Sequence, residues 1–292
     1  ISTPVLAEKS GVYLMLRQTG LANLHKIWAY LFTGGMILLS LFPVYWVLTV
    51  SLKSKRDSLV NPPLWLFEPV TSSYIKLWNH DTFKDTFFNS IIITLIGIVL
   101  SLAIALPTAY ALVRLKLKGK NLVGIWLILA YMLPEFLFVL PMFSLYQWTG
   151  LYDTHLGLAL MYQVHVLPLS IWLLSSFFKE INPAIDEAAR IEGCSHWQIL
   201  TRIYIPCTLP GLVATAILNA IWIWNELAIA LGLTFSNAQT VTLGVTSFRG
   251  YAALDWGAMT AASIIAIIPM LLFAVVAQKH IVKGITLGAV KG

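Results

Sequence analysis

The sequence predicts an all-α bundle of six transmembrane helices, and three observations carry that prediction. Hydrophobic residues make up 58% of the chain and charged residues 11%, against roughly a quarter charged in an ordinary soluble domain. Mean hydropathy is +0.79, so the chain cannot cover itself with a polar surface. The apolar residues also fall into six long, nearly uncharged blocks, at 27–50, 88–113, 122–146, 156–178, 210–233 and 257–276. Each block is long enough to cross roughly 30 Å of hydrocarbon at about 1.5 Å per helical residue. Lipid offers nothing to unpaired backbone groups, so blocks of this length are expected to be helical.

Residues 1–26 precede the first block and have mixed character, which is read as a cytoplasmic tail with an amphipathic helix over 12–24 on the membrane surface. A cleavable signal would be shorter and end in small residues. After the first block come Lys53, Lys55 and Arg56, placed to meet lipid headgroups or to attract an anionic solute. Residues 61–85 carry Pro, Trp and mixed charge and read as a folded loop.

The third block contains Pro134 and Glu135. Proline disrupts helix hydrogen bonding and can bend a span beside a cavity, and a carboxylate inside lipid is a functional candidate by default. Glu135 is therefore expected near pore-facing or outer water. Gln163 and His165 in the fourth block have two readings, packing or solute contact, and Tyr131 and Tyr162 are weaker candidates of the same kind. In the fifth block Glu226 neighbours Trp222, Trp224 and Asn225, a polar and aromatic set suited either to a sugar ring or to a bond between helices.

With six spans both termini lie on one side, and the basic residues decide which. Lys9, Arg17, Lys26, Arg114, Lys116, Lys118, Lys120, Lys179, Arg190, Arg202, Lys279, Lys283 and Lys291 share one side. Lys53, Lys55, Arg56, Lys76, Lys84 and Arg249 share the other. The richer side is cytoplasmic by the positive-inside rule, which places both termini there. The net charge of +6 is thus a set of topology signals rather than a nucleic-acid surface. Cys194 and Cys207 occupy one polar loop without a metal-ligand pattern and read as reduced thiols.

That loop, 179–206, separates the fourth and fifth blocks and is too long for a simple turn. Asn182 followed by Pro183 is a helix-start signal, and residues 186–190 continue a short helix that Gly193 ends. A second amphipathic turn runs from His196 to Tyr204 and on to Pro206. From physics alone this helix, glycine break and helix is either a docking knob for another protein or an interfacial anchor for the bundle.

Its spelling goes further. Glu187, Ala188 and Ala189, three residues, Gly193, nine residues, Ile203, one residue, then Ile205 and Pro206, resembles the EAA loop of permease subunits of bacterial binding-protein-dependent ABC importers. The usual ending is Ile-x-Leu-Pro, from which Ile205 is a mild departure. The resemblance extends over nearly the whole chain, through Ser51-Leu52-Lys53, Asn89-Ser90, Trp224-Asn225-Glu226, Gly284-Ile285 and Val290-Lys291-Gly292. It is similar to the smaller permease subunit of carbohydrate importers, relatives of the maltose system's second membrane subunit.

The resemblance implies a type I ABC importer permease fold, with the EAA loop as a cytoplasmic coupling helix. Glu187, Ala188, Ala189, Gly193, Ile203 and Pro206 would contact the ATPase, and Gly292 at the tail would add a second contact. It implies a six-span permease domain over 27–283 and a cytoplasmic tail over 284–292. The implied partners are an ATPase dimer, a second homologous permease, a periplasmic or extracellular solute-binding protein, membrane lipid and a carbohydrate. Residues 247–256, with Arg249, Tyr251 and Asp255, would face the binding protein or serve as an ordinary interfacial loop.

No catalysis is expected of the chain itself. The nearest string to a phosphate loop, Lys118-Gly119-Lys120-Asn121, lacks the first glycine and the Ser or Thr. ATP and Mg would then sit on the partner ATPase, with no cofactor bound by this chain. Two rivals are a membrane enzyme of lipid-linked sugar metabolism and an ion-coupled secondary transporter. The first needs clustered carboxylates, histidines or metal ligands, whereas the acidic residues here are scattered, and the second predicts an internal repeat that is not obvious. A closer similarity to subunits importing alginate oligosaccharides would suit the outward cations, yet Ser-Leu-Lys is shared by relatives that carry neutral sugars.

Overall fold

The computed structural model describes residues 5–79, 81–248 and 255–289, with side chains chiefly from Lys26 to Val276. Among these, all regular structure is helical. The helix α1 (Val5–Ser51) holds the first block and continues toward the N-terminus without a break. The surface helix expected over 12–24 is therefore backbone-continuous with the first span, and its side chains lie outside the described set. After a 3-10 turn at Asp57–Leu59 comes α2 (Ser72–Trp78), then α3 (Asp81–Arg114), α4 (Lys120–Met132), α5 (Phe136–Thr149) and α6 (His155–Glu180). The polar loop forms α7 (Pro183–Ile191), α8 (His196–Ile199), a π turn at Leu200–Tyr204 and α9 (Ile205–Cys207). The chain continues through α10 (Leu209–Asn225), α11 (Ala228–Leu233), α12 (Val241–Thr246) and α13 (Trp256–Ala289).

Four segments are long and apolar enough to cross a membrane, namely Lys26–Ser51, Thr82–Arg114, His155–Glu180 and Trp256–Val276. The other two blocks differ from the straight helices expected. The third is split into α4 and α5, bent by 95°. Leu133 precedes proline and turns extended (φ −69°, ψ 135°), because the Pro134 ring excludes the helical conformation there. The fifth stops at Asn225, where Glu226 turns extended (φ −67°, ψ 133°) before the short α11. Its other end is also bent, by 81°, between His196–Cys207 and Leu209–Asn225. Counting each bent pair as one span makes six.

The bundle is built on α3 and α6, which pack along most of their length, with α10 and α13 completing it and α1 laid against α13. Where α3, α6 and α10 meet, Asn219 donates to Ser101 Oγ at 3.0 Å and to Ser170 Oγ at 2.8 Å, all three residues being fully buried. Such links hold membrane helices together where lipid is as apolar as leucine. Close approach is needed lower down, where a Cβ on Gly211 would fall 2.4 Å from the Phe177 ring.

Candidate functional site

The polar loop is capped at each turn by the residues its sequence supplies. Asn182 Oδ1 accepts from the Ala184 N–H at 3.0 Å, and Pro183 opens α7 where a missing N–H costs nothing. Gly193 ends the helix at φ +82°, a left-handed conformation that a Cβ would strain. Ser195 and Gln198 then close a reciprocal capping box that starts α8.

The 3.6-residue period divides α7 into two faces. Asp186 and Ala189, three residues apart, are buried, and Ala189 packs among Tyr110, Leu174, Phe178 and Tyr204. Glu187 and Ala188 face outward, joined by the exposed apolar side chains of Ile185, Ile191 and Trp197. Of the expected coupling residues, Glu187, Ala188, Gly193 and Pro206 are exposed, Ile203 is half-buried, and Ala189 is turned into the bundle. Gly292 lies outside the described residues.

A network that sequence reading missed holds this knob in place. Arg114, at the end of α3, bonds to the Phe178 carbonyl at 3.0 Å and to the Ile181 carbonyl, capping the end of α6. Its Nε lies 3.2 Å from Asp186 Oδ2, and its guanidinium sits 5.4 Å from the Tyr204 ring centre. Tyr204 donates its hydroxyl to the same Asp186 oxygen at 2.8 Å. His196 accepts from Arg190 Nη2 at its Nε2 (2.7 Å) and contacts the Tyr110 hydroxyl at its Nδ1 (3.1 Å). Arginine at a span end is so common a topology marker that nothing in the sequence distinguished Arg114 from Lys116 or Lys118.

A second site lies midway along the bundle, at the chain breaks. His165 Nδ1 donates to Glu135 Oε1 at 2.8 Å, joining α6 to the bend between α4 and α5. The imidazole stacks on Trp222 of α10 at 4.3 Å and 13°, with the Tyr131 ring centre 4.7 Å from it. Tyr162 is buried and meets Trp222 edge-on at 5.5 Å. Glu226 is buried at the gap after α10. Its Oε1 accepts from the Ile229 N–H at 2.7 Å and its Oε2 from the Ala230 N–H at 3.1 Å, so it caps α11.

Other candidates separate from this cluster. Gln163 is buried and donates to the Gly97 carbonyl at 3.2 Å and the Ala159 carbonyl at 2.9 Å, which turns it toward α3. Trp224 is buried and donates to the Ala266 carbonyl at 3.0 Å, while Asn225 contacts Met270 Sδ at 3.5 Å. Both thus face α13, because residues 222 and 224 of one helix point about 200° apart. Lys53 is also buried rather than displayed, held 5.1 Å from the ring centres of both Trp46 and Phe67.

At the end opposite the polar loop, Asp153 clamps the return of the fifth block. Its carboxylate accepts the N–H groups of Phe235, Ser236, Asn237 and Ala238 at 2.9 to 3.1 Å. Burial opposes its ionisation, yet these backbone donors outweigh burial and hold the carboxyl below its usual value. Asp255, partly buried, is likewise held low by Lys76 and the Ala258 N–H. It lines a cleft of about 180 Å³ with Lys53, Lys55 and Lys76. Arg249 and Tyr251 lie outside the described residues.

Residues 97–287 match the family described as "Binding-protein-dependent transport system inner membrane component". The chain is 36% identical over 259 residues to the trehalose transport system permease protein SugB of Mycobacterium tuberculosis, covering 87% of this chain and 93% of that protein. It is 34% identical over 261 residues to the trehalose/maltose transport system permease protein MalG of Thermococcus litoralis, covering 88% and 94%. Its fold matches, with a TM-score of 0.74 and 23% identity over 90% of this chain and 96% of the other, a bacterial ABC transporter involved in the import of the acidic polysaccharide alginate. These relatives are transport components rather than enzymes, and the fold is that of a type I ABC importer permease. An outward-facing polar knob on a bundle of bent spans, spelled as this one is, makes the chain a member of the binding-protein-dependent transport system inner membrane component family.

Proposed function

We propose that this chain is the membrane subunit of an ATP-driven importer that moves a saccharide delivered by a binding protein, with the α7 knob seated in a partner ATPase. One observation carries the reading. Glu187 and Ala188, with Ile185, Ile191 and Trp197, form an exposed acidic and apolar surface on an element tied by Arg114 to α3 and α6. Exposed apolar side chains on a rigid polar-loop element mark a protein contact. The Glu187 carboxylate can answer basic residues on the ATPase.

In this reading both termini and the knob are cytoplasmic, the permease domain spans 27–283 with flanking tails, and ATP and Mg bind only the ATPase dimer. A second homologous permease completes the pathway, and Gly292 adds a contact at the tail. Residues 247–256, with Arg249, Tyr251 and Asp255, meet the binding protein outside. Closure of the ATPase around ATP pushes α7, and Arg114 passes that displacement to α3 and α6. The bundle then exchanges between two packed states. Names of relatives support a saccharide cargo, two of them being trehalose or trehalose/maltose permeases.

The test is uptake by proteoliposomes holding the permease pair, ATPase and binding protein. ATP-dependent accumulation of a saccharide is expected, and it should vanish without the ATPase. Uptake by the membrane subunits alone would overturn the proposal.

A further inference from the structure

Beside the end of the first span and the start of the last, the chain buries a cation without a counter-charge. Lys53 follows the close of α1 at Ser51 by two residues and is only 3% exposed. Its ammonium lies 5.1 Å from the ring centres of Trp46 and Phe67, and among the described residues no carboxylate or hydrogen-bond acceptor meets it. Burying an unpaired ammonium is costly, and ring faces offset only part of that cost. An anion from outside the chain would supply the rest.

Lys53 lines the cleft of about 180 Å³ together with Lys55 and Lys76, and Ser58, Ser72 and Ser73 add hydroxyls to its wall. Asp255 is the one acid in that wall, and its carboxylate is already engaged by Lys76 and by the Ala258 N–H at 3.1 Å. Asp57, the next acid along the chain from Lys53, accepts from Ser54 Oγ at 2.7 Å. Three lysines against one aspartate leave the wall with a net charge of +2. Ammonium groups flanked by hydroxyls suit the oxygens of a phosphate.

Depth identifies where such a phosphate would come from. The segments Lys26–Ser51 and Trp256–Val276 can cross a membrane, so a cleft walled by Lys53 and Trp256 falls at their boundary with water. Trp46, Trp65 and Trp256 gather around it, as indole rings do at headgroup level. Leu59, in the wall itself, is 63% exposed, and the apolar window of the first span has no buried residue. These surfaces suit acyl chains, whereas a soluble anion gains nothing from them. Because α3 starts beside α2 here and ends at Arg114 under the knob, the cleft belongs to the leaflet away from α7.

We propose that this cleft binds the phosphate of an anionic glycerophospholipid in the leaflet away from the α7 knob, with Lys53 and Lys55 on the phosphate oxygens. Basic pockets between membrane helices hold headgroups in this way. Held there, the lipid ties together the ends of α1, α2 and α13. The proposal needs only that these helices cross a membrane, so it stands apart from the importer reading.

The test uses the full chain, purified in a neutral detergent with the subunits that accompany it and titrated with phosphatidylglycerol, while native mass spectrometry counts retained lipid. Phosphatidylglycerol should be retained in preference to a chain-matched phosphatidylcholine, and a photoreactive analogue should crosslink within 53–59, 72–76 or 255–257. Lys53→Met keeps the length that packs between the rings and should weaken retention about tenfold, as expected for one lost charge-assisted contact. Lys55→Gln, at an exposed side chain, should weaken it a few-fold, and it decides the matter if Lys53→Met lowers the unfolding midpoint in lipid-free detergent. Retention unchanged in Lys55→Gln and in a stably folded Lys53→Met, or crosslinks confined to other segments, would overturn the proposal. Displacement of the lipid by excess inorganic phosphate would make this a free-anion site. Unchanged lipid retention with weakened capture of the binding protein would make it a protein contact, and either result removes the lipid assignment.

Discussion

Two carboxylate contacts between helices are held in opposite ways. Arg114 and Asp186, with side chains 11% and 13% exposed, are clamped from four directions by α3, the end of α6, α7 and Tyr204. Glu135 and His165 join one helix to a bend, with the Trp222 and Tyr131 rings against the imidazole and both side chains partly exposed. The first arrangement ties α3, α6 and α7 together at one point. The second joins only two elements and leaves part of both side chains exposed.

The largest effect should come from breaking the clamp. Arg114→Ala leaves Asp186 buried beside Tyr204 without a cation, a change that typically costs about 3–5 kcal/mol, and transport should be lost. Thermal unfolding of the purified complex checks this. Adding Asp186→Asn should restore part of the lost stability, and no recovery would count against the pair as the origin. Next in size, Glu187→Lys should leave the permease folded in the membrane, since the side chain is exposed, while uncoupling uptake from ATP hydrolysis. The ratio of sugar moved to ATP hydrolysed is the readout. Gly193→Val should cost roughly 1–2 kcal/mol from the left-handed backbone alone, visible as a lowered unfolding midpoint.

The Asp153 clamp sharpens the comparison at the third corner of the molecule. Its carboxyl is held below the usual value in the folded chain, so it stabilises the fold above its unfolded pKa near 4. That contribution is lost as pH falls through the lowered folded value. Asp153→Ala should remove part of the acid dependence of unfolding, leaving that of Asp255, and cost about 2 kcal/mol at neutral pH. Melting curves between pH 3 and 7 test both claims. The smallest effect is expected from Lys76→Ala, whose pair with Asp255 is largely exposed, at about 0.5 kcal/mol or less.

Hydropathy alone located the spans, because a lipid solvent imposes a length and a composition on any segment that crosses it. The Asn182-Pro183 start and the Gly193 stop were equally legible, since caps and turns act through neighbouring backbone. Pro134 announced a bend without its size, and the apolar residues that resume at Leu227 after Asn225 and Glu226 hid the end of α10. Gln163 and His165, two residues apart in one block, could not be told apart by composition. One faces Gly97 of α3 and the other Glu135.

What the sequence determined by itself was thus local: helical spans, their order, the capped knob with Glu187 on it, and the charge asymmetry between the two ends. Only the tertiary structure decided which polar groups meet. Arg114 and Asp186 are separated by seventy-two positions, Glu135 and His165 by thirty. Neither pair is tied by a periodicity, because contact between helices depends on how they cross and where they break.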